Sequence, residues 1–128
     1  MKVDALKTLV ATVGVADANI GTPIPSLMKR VIYKMKWENE FAGVNLLTLG
    51  KRENGAGATT VIDYGRAIAQ YDAFIDPDSL HEDSAPLYTI DGPPDTADPT
   101  YVGTSYIRAQ ATGASIFLTL WYEDVSAP

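Results

Sequence analysis

Hydrophobic and polar residues alternate most clearly in the last quarter of the chain. In the run SIFLTLWYEDV, one face of an extended strand would carry Ile116, Leu118, Leu120 and Tyr122, and the other would carry Phe117, Thr119 and Trp121. Almost no charge appears before Glu123. A strand with apolar or aromatic groups on both faces needs cover on both sides, from a second sheet or from another protein chain.

A second alternating segment runs from residue 30 to residue 38. One face holds Val31, Tyr33, Met35 and Trp37, and the other holds Arg30, Lys34, Lys36 and Glu38. Ile32 is the exception to this alternation. The pattern predicts a strand with one solvated face. A helix from Ser26 to just before Gly43 is the competing interpretation, and the strand is favoured because Glu38 and Asn39 would break the apolar face of that helix.

The rest of the chain reads as short strands separated by turns. Strands are expected at residues 44–49, 59–75, 104–111 and 115–125, with turns at Asn54-Gly55 and at Thr112-Gly113. Residues 76–98 are rich in proline and acidic groups and predict a long surface loop with one short strand. For residues 1–15, helix and strand both fit the spacing, and both interpretations stay open.

These elements predict an all-β protein, an antiparallel β-sandwich or jelly roll with an extended N-terminal arm. Residues 1–26 would form that arm or an edge strand, residues 27–125 the sandwich domain, and residues 126–128 a short tail. The interior is expected to contain Ile116, Leu118, Leu120, Val31 and Met35.

Composition narrows the possible partners. The chain has 128 residues, 46% of them hydrophobic, which suits one folded domain, and it contains no cysteine for a disulfide or a thiolate site. A formal net charge of -6 makes nucleic acid an unfavourable partner. No run approaches the length of a membrane span, and Asp4 and Lys7 interrupt the apolar N-terminus, so neither a span nor a cleaved export signal is expected.

Candidate chemistry is sparse. The segment DPDSLHED holds Asp76, Asp78 and Asp83, whose oxygens suit calcium, but the spacing does not follow an EF-hand, so no metal site is predicted and these aspartates are only candidates. His81 is the single histidine, no serine stands in a nucleophile elbow, and the glycines of residues 54–60 fit a turn better than a phosphate loop. We therefore expect neither a catalytic site nor a cofactor.

Aromatic and apolar side chains are the stronger functional signal. We expect Phe117 and Trp121 to contact neighbouring subunits, together with Ile20 and Ile24 of the proposed arm, where two prolines enforce extended backbone. Trp121 could alternatively stack against a sugar ring.

The closing segment SYIRAQATGASIFLTLWYEDV, with the proline-flanked arm, resembles small structural proteins of viruses and phages: jelly-roll coat, decoration or virion-attached modules. In such families a terminal arm reaches a neighbouring subunit, although the arm here is shorter than many. The resemblance implies a non-enzymatic structural subunit, located in a virion, whose partners are copies of itself in a homo-oligomer and other structural subunits. The alternative expectation is an extracellular carbohydrate-binding β-sandwich, with or without calcium.

Overall fold

Strands in two facing sheets account for most of the ordered structure. The computed structural model describes residues 1–55, 59–63, 67–113 and 115–127. A 3-10 turn at Val3–Ala5 precedes the strands β1 (Lys7–Val13), β2 (Ala18–Ile24), β3 (Met28–Asn39), β4 (Asn45–Arg52), β5 (Thr60–Asp63), β6 (Ala67–Ile68), β7 (Ala73–Asp76), β8 (Tyr88–Asp91), β9 (Ser105–Ala111) and β10 (Ile116–Ser126).

All strand pairs are antiparallel. The first sheet has the order β1-β10-β3-β7, and β8 also pairs with β3; the second has the order β2-β9-β4-β5, and β6 also pairs with β4. The two sheets pack against each other, which confirms the predicted β-sandwich. The competing helix over residues 26–42 is wrong, because β3 occupies most of that segment.

The N-terminal residues belong to the sandwich. The strand interpretation holds for residues 7–13, which form β1 at the edge of the first sheet, and β2 forms the edge of the second. Of the two expectations for residues 1–26, the structure has the edge strand at residues 7–13 and 18–24, and these segments do not form an arm that extends from the sandwich. At the other terminus, β10 continues through Ser126, and the N–H of Ala127 donates to the Leu27 carbonyl at 3.0 Å, so most of the predicted tail is tied to the sheet.

The core lies between the sheets. Its centre is the inner row of β10, where Ile116, Leu118 and Leu120 are fully enclosed, as the alternation predicted. Facing them from the second sheet are apolar side chains that include Leu47, Leu49 and Ile107. Each such side chain contributes roughly 1.5–3 kcal/mol to folding through removal of its surface from water.

A β-bulge changes which residues of β3 face the core. The pairing of β10 with β3 steps from Trp121 opposite Lys34 to Tyr122 opposite Ile32, so Tyr33 is the extra residue. The bulge explains the irregular position of Ile32, which joins the core. Between the bulge and the start of β3, the residues that were expected to face solvent face the core instead. Arg30 therefore points toward the interior. Val31 is buried as predicted, but it follows the outer row of the sheet.

Arg30 was expected on the solvated face, and this prediction is wrong. The residue is 1% exposed, and its guanidinium forms two bonds with Asp124, from Nε to Oδ1 at 2.8 Å and from Nη2 to Oδ2 at 2.9 Å. Nη1 donates to the Thr22 carbonyl of β2 at 2.8 Å, and the group lies 4.6 Å from the ring centroid of Tyr122. Arg30 therefore links the two sheets by a polar contact.

Two buried asparagines make a second polar link at one end of the sandwich. Asn45 donates to Asn39 Oδ1 at 3.2 Å and to the Gly113 carbonyl at 2.6 Å, and it accepts from the Gly113 N–H at 2.8 Å. Asn39 in turn donates to the carbonyls of Gly43 and Ile68. In these turns the asparagine side chains bond to backbone groups that have no partner strand. The connection from β3 to β4 and the connection from β9 to β10 are thereby held together.

We expect Asp124→Ala to lower the free energy of unfolding by about 3–5 kcal/mol, because it leaves the buried Arg30 guanidinium without its countercharge. The matched control is Glu38→Ala, which removes an exposed ion pair with Lys36 at 2.7 Å and should cost less than about 1 kcal/mol. Urea unfolding of both variants measures the difference. Equal losses would contradict the bridging role of Arg30.

Candidate interaction surface

The outer side of the first sheet, which faces away from the second sheet, carries a contiguous group of apolar side chains. Val10 of β1 is 72% exposed and Phe117 of β10 is 40% exposed. Trp121 is partly exposed, and Thr119 stands between the two rings, opposite Val10 in the register. These four residues, Val10, Phe117, Thr119 and Trp121, are called the outer patch. Apolar groups on adjacent strands form a surface that scattered single side chains do not.

Charged residues of β3 border the outer patch. The Lys34 ammonium lies 5.1 Å from the ring centroid of Trp121, within the range of a cation–π contact. Lys36, opposite Thr119, is paired with Glu38. The surface thus has an apolar centre and a charged border, which is the arrangement found at many protein interfaces.

The bulge residue Tyr33 adds a polar contact beside the outer patch. Its hydroxyl donates to Glu123 Oε1 at 3.0 Å. Burial, the hydrogen bond to Glu123 and the negative charge of that carboxylate raise the pKa of Tyr33 above its ordinary value. The phenol therefore stays protonated and holds Glu123 in place next to the position of Trp121.

The structure separates the four side chains that the sequence assigned to an interface. Phe117 and Trp121 lie on the outer patch, and their role in subunit contacts stays a prediction. Ile20 and Ile24 are 4% and 1% exposed and belong to the core, so the prediction for these two is wrong. They point inward because β2 pairs with β9, where Ile20 lies opposite Ile107 and the bulged segment returns Ile24 to the inner face.

Val10 is the surface residue that the sequence interpretation missed. The alternation of Thr8, Val10 and Thr12 with Leu9, Ala11 and Val13 was visible. It did not single out Val10, because the two threonines make this row look like an ordinary polar face. Only the pairing of β1 with β10 places Val10 next to the two exposed rings.

The metal candidates lie at or after the end of β7, and one of them lies near the border of the outer patch, where the Lys34 ammonium donates to the Asp78 carbonyl at 3.4 Å. Asp76 is the last residue of β7, and Asp78 and Asp83 follow on the exposed loop. Over the described ranges, no group of three or more histidine, cysteine, aspartate or glutamate side chains is arranged to hold a metal ion.

No protein-family model, curated protein or solved structure matches this chain. Within the described part of the chain, no helix has the length and apolar character that crossing a membrane requires.

We expect Tyr33 to titrate above the ordinary pKa of tyrosine in an absorbance titration, as a late phase that Tyr33→Phe removes. Glu123→Gln should shift it to lower pH, since the neighbouring negative charge is lost. Tyr71→Phe, on an exposed side chain, is the control and should leave the late phase in place.

The raised pKa of Tyr33 also predicts how the stability of the protein depends on pH. Because the folded pKa of Tyr33 lies above its unfolded value of about 10, the contribution of the neutral phenol is fully present below that pH. It is lost as pH rises through the folded pKa. The difference in unfolding free energy between wild type and Tyr33→Phe should therefore shrink in this alkaline window, and a constant difference would contradict the assignment.

Proposed function

We propose that this chain is a non-enzymatic structural subunit of a virion or a comparable protein assembly, and that it acts through contacts with copies of itself and with other subunits. The observation that carries the proposal is the outer patch, where Val10 and Phe117 are exposed and Trp121 is partly exposed on neighbouring strands. Aromatic side chains are enriched in the centres of protein interfaces and supply much of their binding energy.

The size of the molecule is consistent with a contact of this kind. A standard interface removes roughly 800 Å² from each partner, which is about one eighth of the 6746 Å² of accessible surface on this chain. Individual contacts of modest strength become a stable assembly when many copies repeat them.

The virion setting comes from the resemblance of the closing segment to coat and decoration modules. In the structure this segment forms the consecutive strands β9 and β10, which lie in different sheets. A β-sandwich alone serves many functions, so the surface supports the structural role and the fold does not decide it. The carbohydrate-binding alternative needs a ring face of Trp121 for stacking. Lys34 already lies over one of the two faces.

We expect Trp121→Ala and Phe117→Ser each to weaken self-association by about tenfold or more, because each removes an aromatic ring from the centre of the contact. Sedimentation at several protein concentrations measures the dissociation constant. Val102→Ala, on an exposed valine outside the strands, is the control and should leave the association unchanged.

Measuring the unfolding free energy of each variant shows whether the substitution acts on folding or on association. The proposal requires that each substitution weaken association more than it weakens folding. If Trp121→Ala and Phe117→Ser both keep the oligomer mass of the wild type, the two rings do not contribute to self-association. Trp37 is fully buried, so quenching of the accessible tryptophan fluorescence by sugars would report on Trp121 and would favour the carbohydrate alternative.

A further inference from the structure

The edges of the two sheets are protected to different degrees. Three of the edge strands, β5, β7 and β8, have only four residues each, and β6 has two. Strand β2 is longer, but its pairing with β9 is interrupted between Ile20 and Ile24, where Gly21 has φ 75° and Pro23 has no N–H to donate. Short strands, bulges and prolines are the means by which proteins prevent the addition of further strands.

Strand β1 lacks these protections. It pairs with β10 in unbroken register over seven residues, from Lys7 opposite Tyr122 to Val13 opposite Ile116. Residues 8–13 contain no charge, proline or glycine. Among the described residues, the backbone groups of residues 8–12 make no hydrogen bonds other than those of the strand ladder. The free edge of β1 therefore presents a row of donors and acceptors that another strand can pair with.

The sequence of β1 is nearly symmetric about Val10. If two copies of β1 run antiparallel with Val10 at the centre, Thr8 lies opposite Thr12 and Leu9 lies opposite Ala11. The two threonines then meet on the outer side, and Leu9 meets Ala11 on the inner side, as favourable cross-strand pairs require. Val10 meets its own copy at the two-fold axis, which is the self-complementary geometry of a symmetric dimer.

Charge does not oppose this pairing. Lys7 would lie opposite Val13, and the two copies of Lys7 would be six residues apart along the strands, about 20 Å. This separation exceeds the screening length of about 8 Å at physiological ionic strength. Strong repulsion across the axis is therefore absent from the contact.

We propose that the free edge of β1 binds the β1 of a second copy of this chain, antiparallel and centred on Val10, so that the two first sheets form one continuous sheet. The inference rests on the proposed function, since it names the partner and the place of one subunit contact. It also joins the two outer patches, because Val10 of each copy lies at the axis beside its own Phe117 and Trp121.

Val10→Lys tests the proposal directly. Val10 is largely exposed, so the substitution should preserve the fold, but it places two ammonium groups opposite each other at the axis. The dimer dissociation constant should rise by about tenfold or more. Val10→Asp should do the same through two carboxylates, and an equimolar mixture of the two variants should restore a dimer of mixed composition. Val102→Lys, on an exposed valine outside the strands, is the control and should not change association.

Hydrogen exchange locates the contact. In the dimeric wild type, the amides of residues 8–12 that point to the free edge should be protected, and Val10→Lys should release them. Val10 variants that keep the wild-type mass, or a mixture that shows no restored pairing, would overturn the β1 contact. If the Val10 variants stay associated while the Trp121 and Phe117 variants dissociate, the proposed assembly function stands and only the β1 contact is overturned. A wild-type chain that remains monomeric at every concentration overturns the β1 contact and the self-association part of the proposed function.

Discussion

The covering of β10 on its inner side is the constraint on which the rest of the structure depends. This strand lies between β1 and β3, and its inner row is enclosed only when the second sheet packs across it. Each sheet alone would expose one apolar face, so neither is stable without the other. The outer row of the same strand has no such cover from its own chain, and its partly exposed rings become the centre of the outer patch.

Polar groups adapt this apolar framework at two places. The bulge at Tyr33 turns Arg30 toward the interior, where the guanidinium is acceptable because Asp124 and a β2 carbonyl accept its hydrogen bonds. On the outer side, the same irregularity leaves Tyr33 beside Glu123. One inserted residue therefore determines both a link between the sheets and the polar border of the outer patch.

The fold was predictable from the sequence because β3, β9 and β10 alternate over long runs with few competing signals. The facing of Arg30 was not, because a single inserted residue leaves little trace in an alternating pattern. Ile20 and Ile24 were assigned to an arm because the neighbouring prolines indicate extended backbone, which describes an arm and an edge strand equally well. Val10 became visible only through its neighbours on β10, and such pairing between distant segments cannot be read from local periodicity.

The paired asparagines at the end of the sandwich bear on how the chain reaches this structure. The hydrogen bond from Asn45 to Gly113 joins residues 68 positions apart, so it cannot form during the early, local steps of folding. The β9–β10 connection gains its anchor only after distant strands have met. We therefore expect this end of the molecule to be completed late, at a rate set by the search for non-local strand partners.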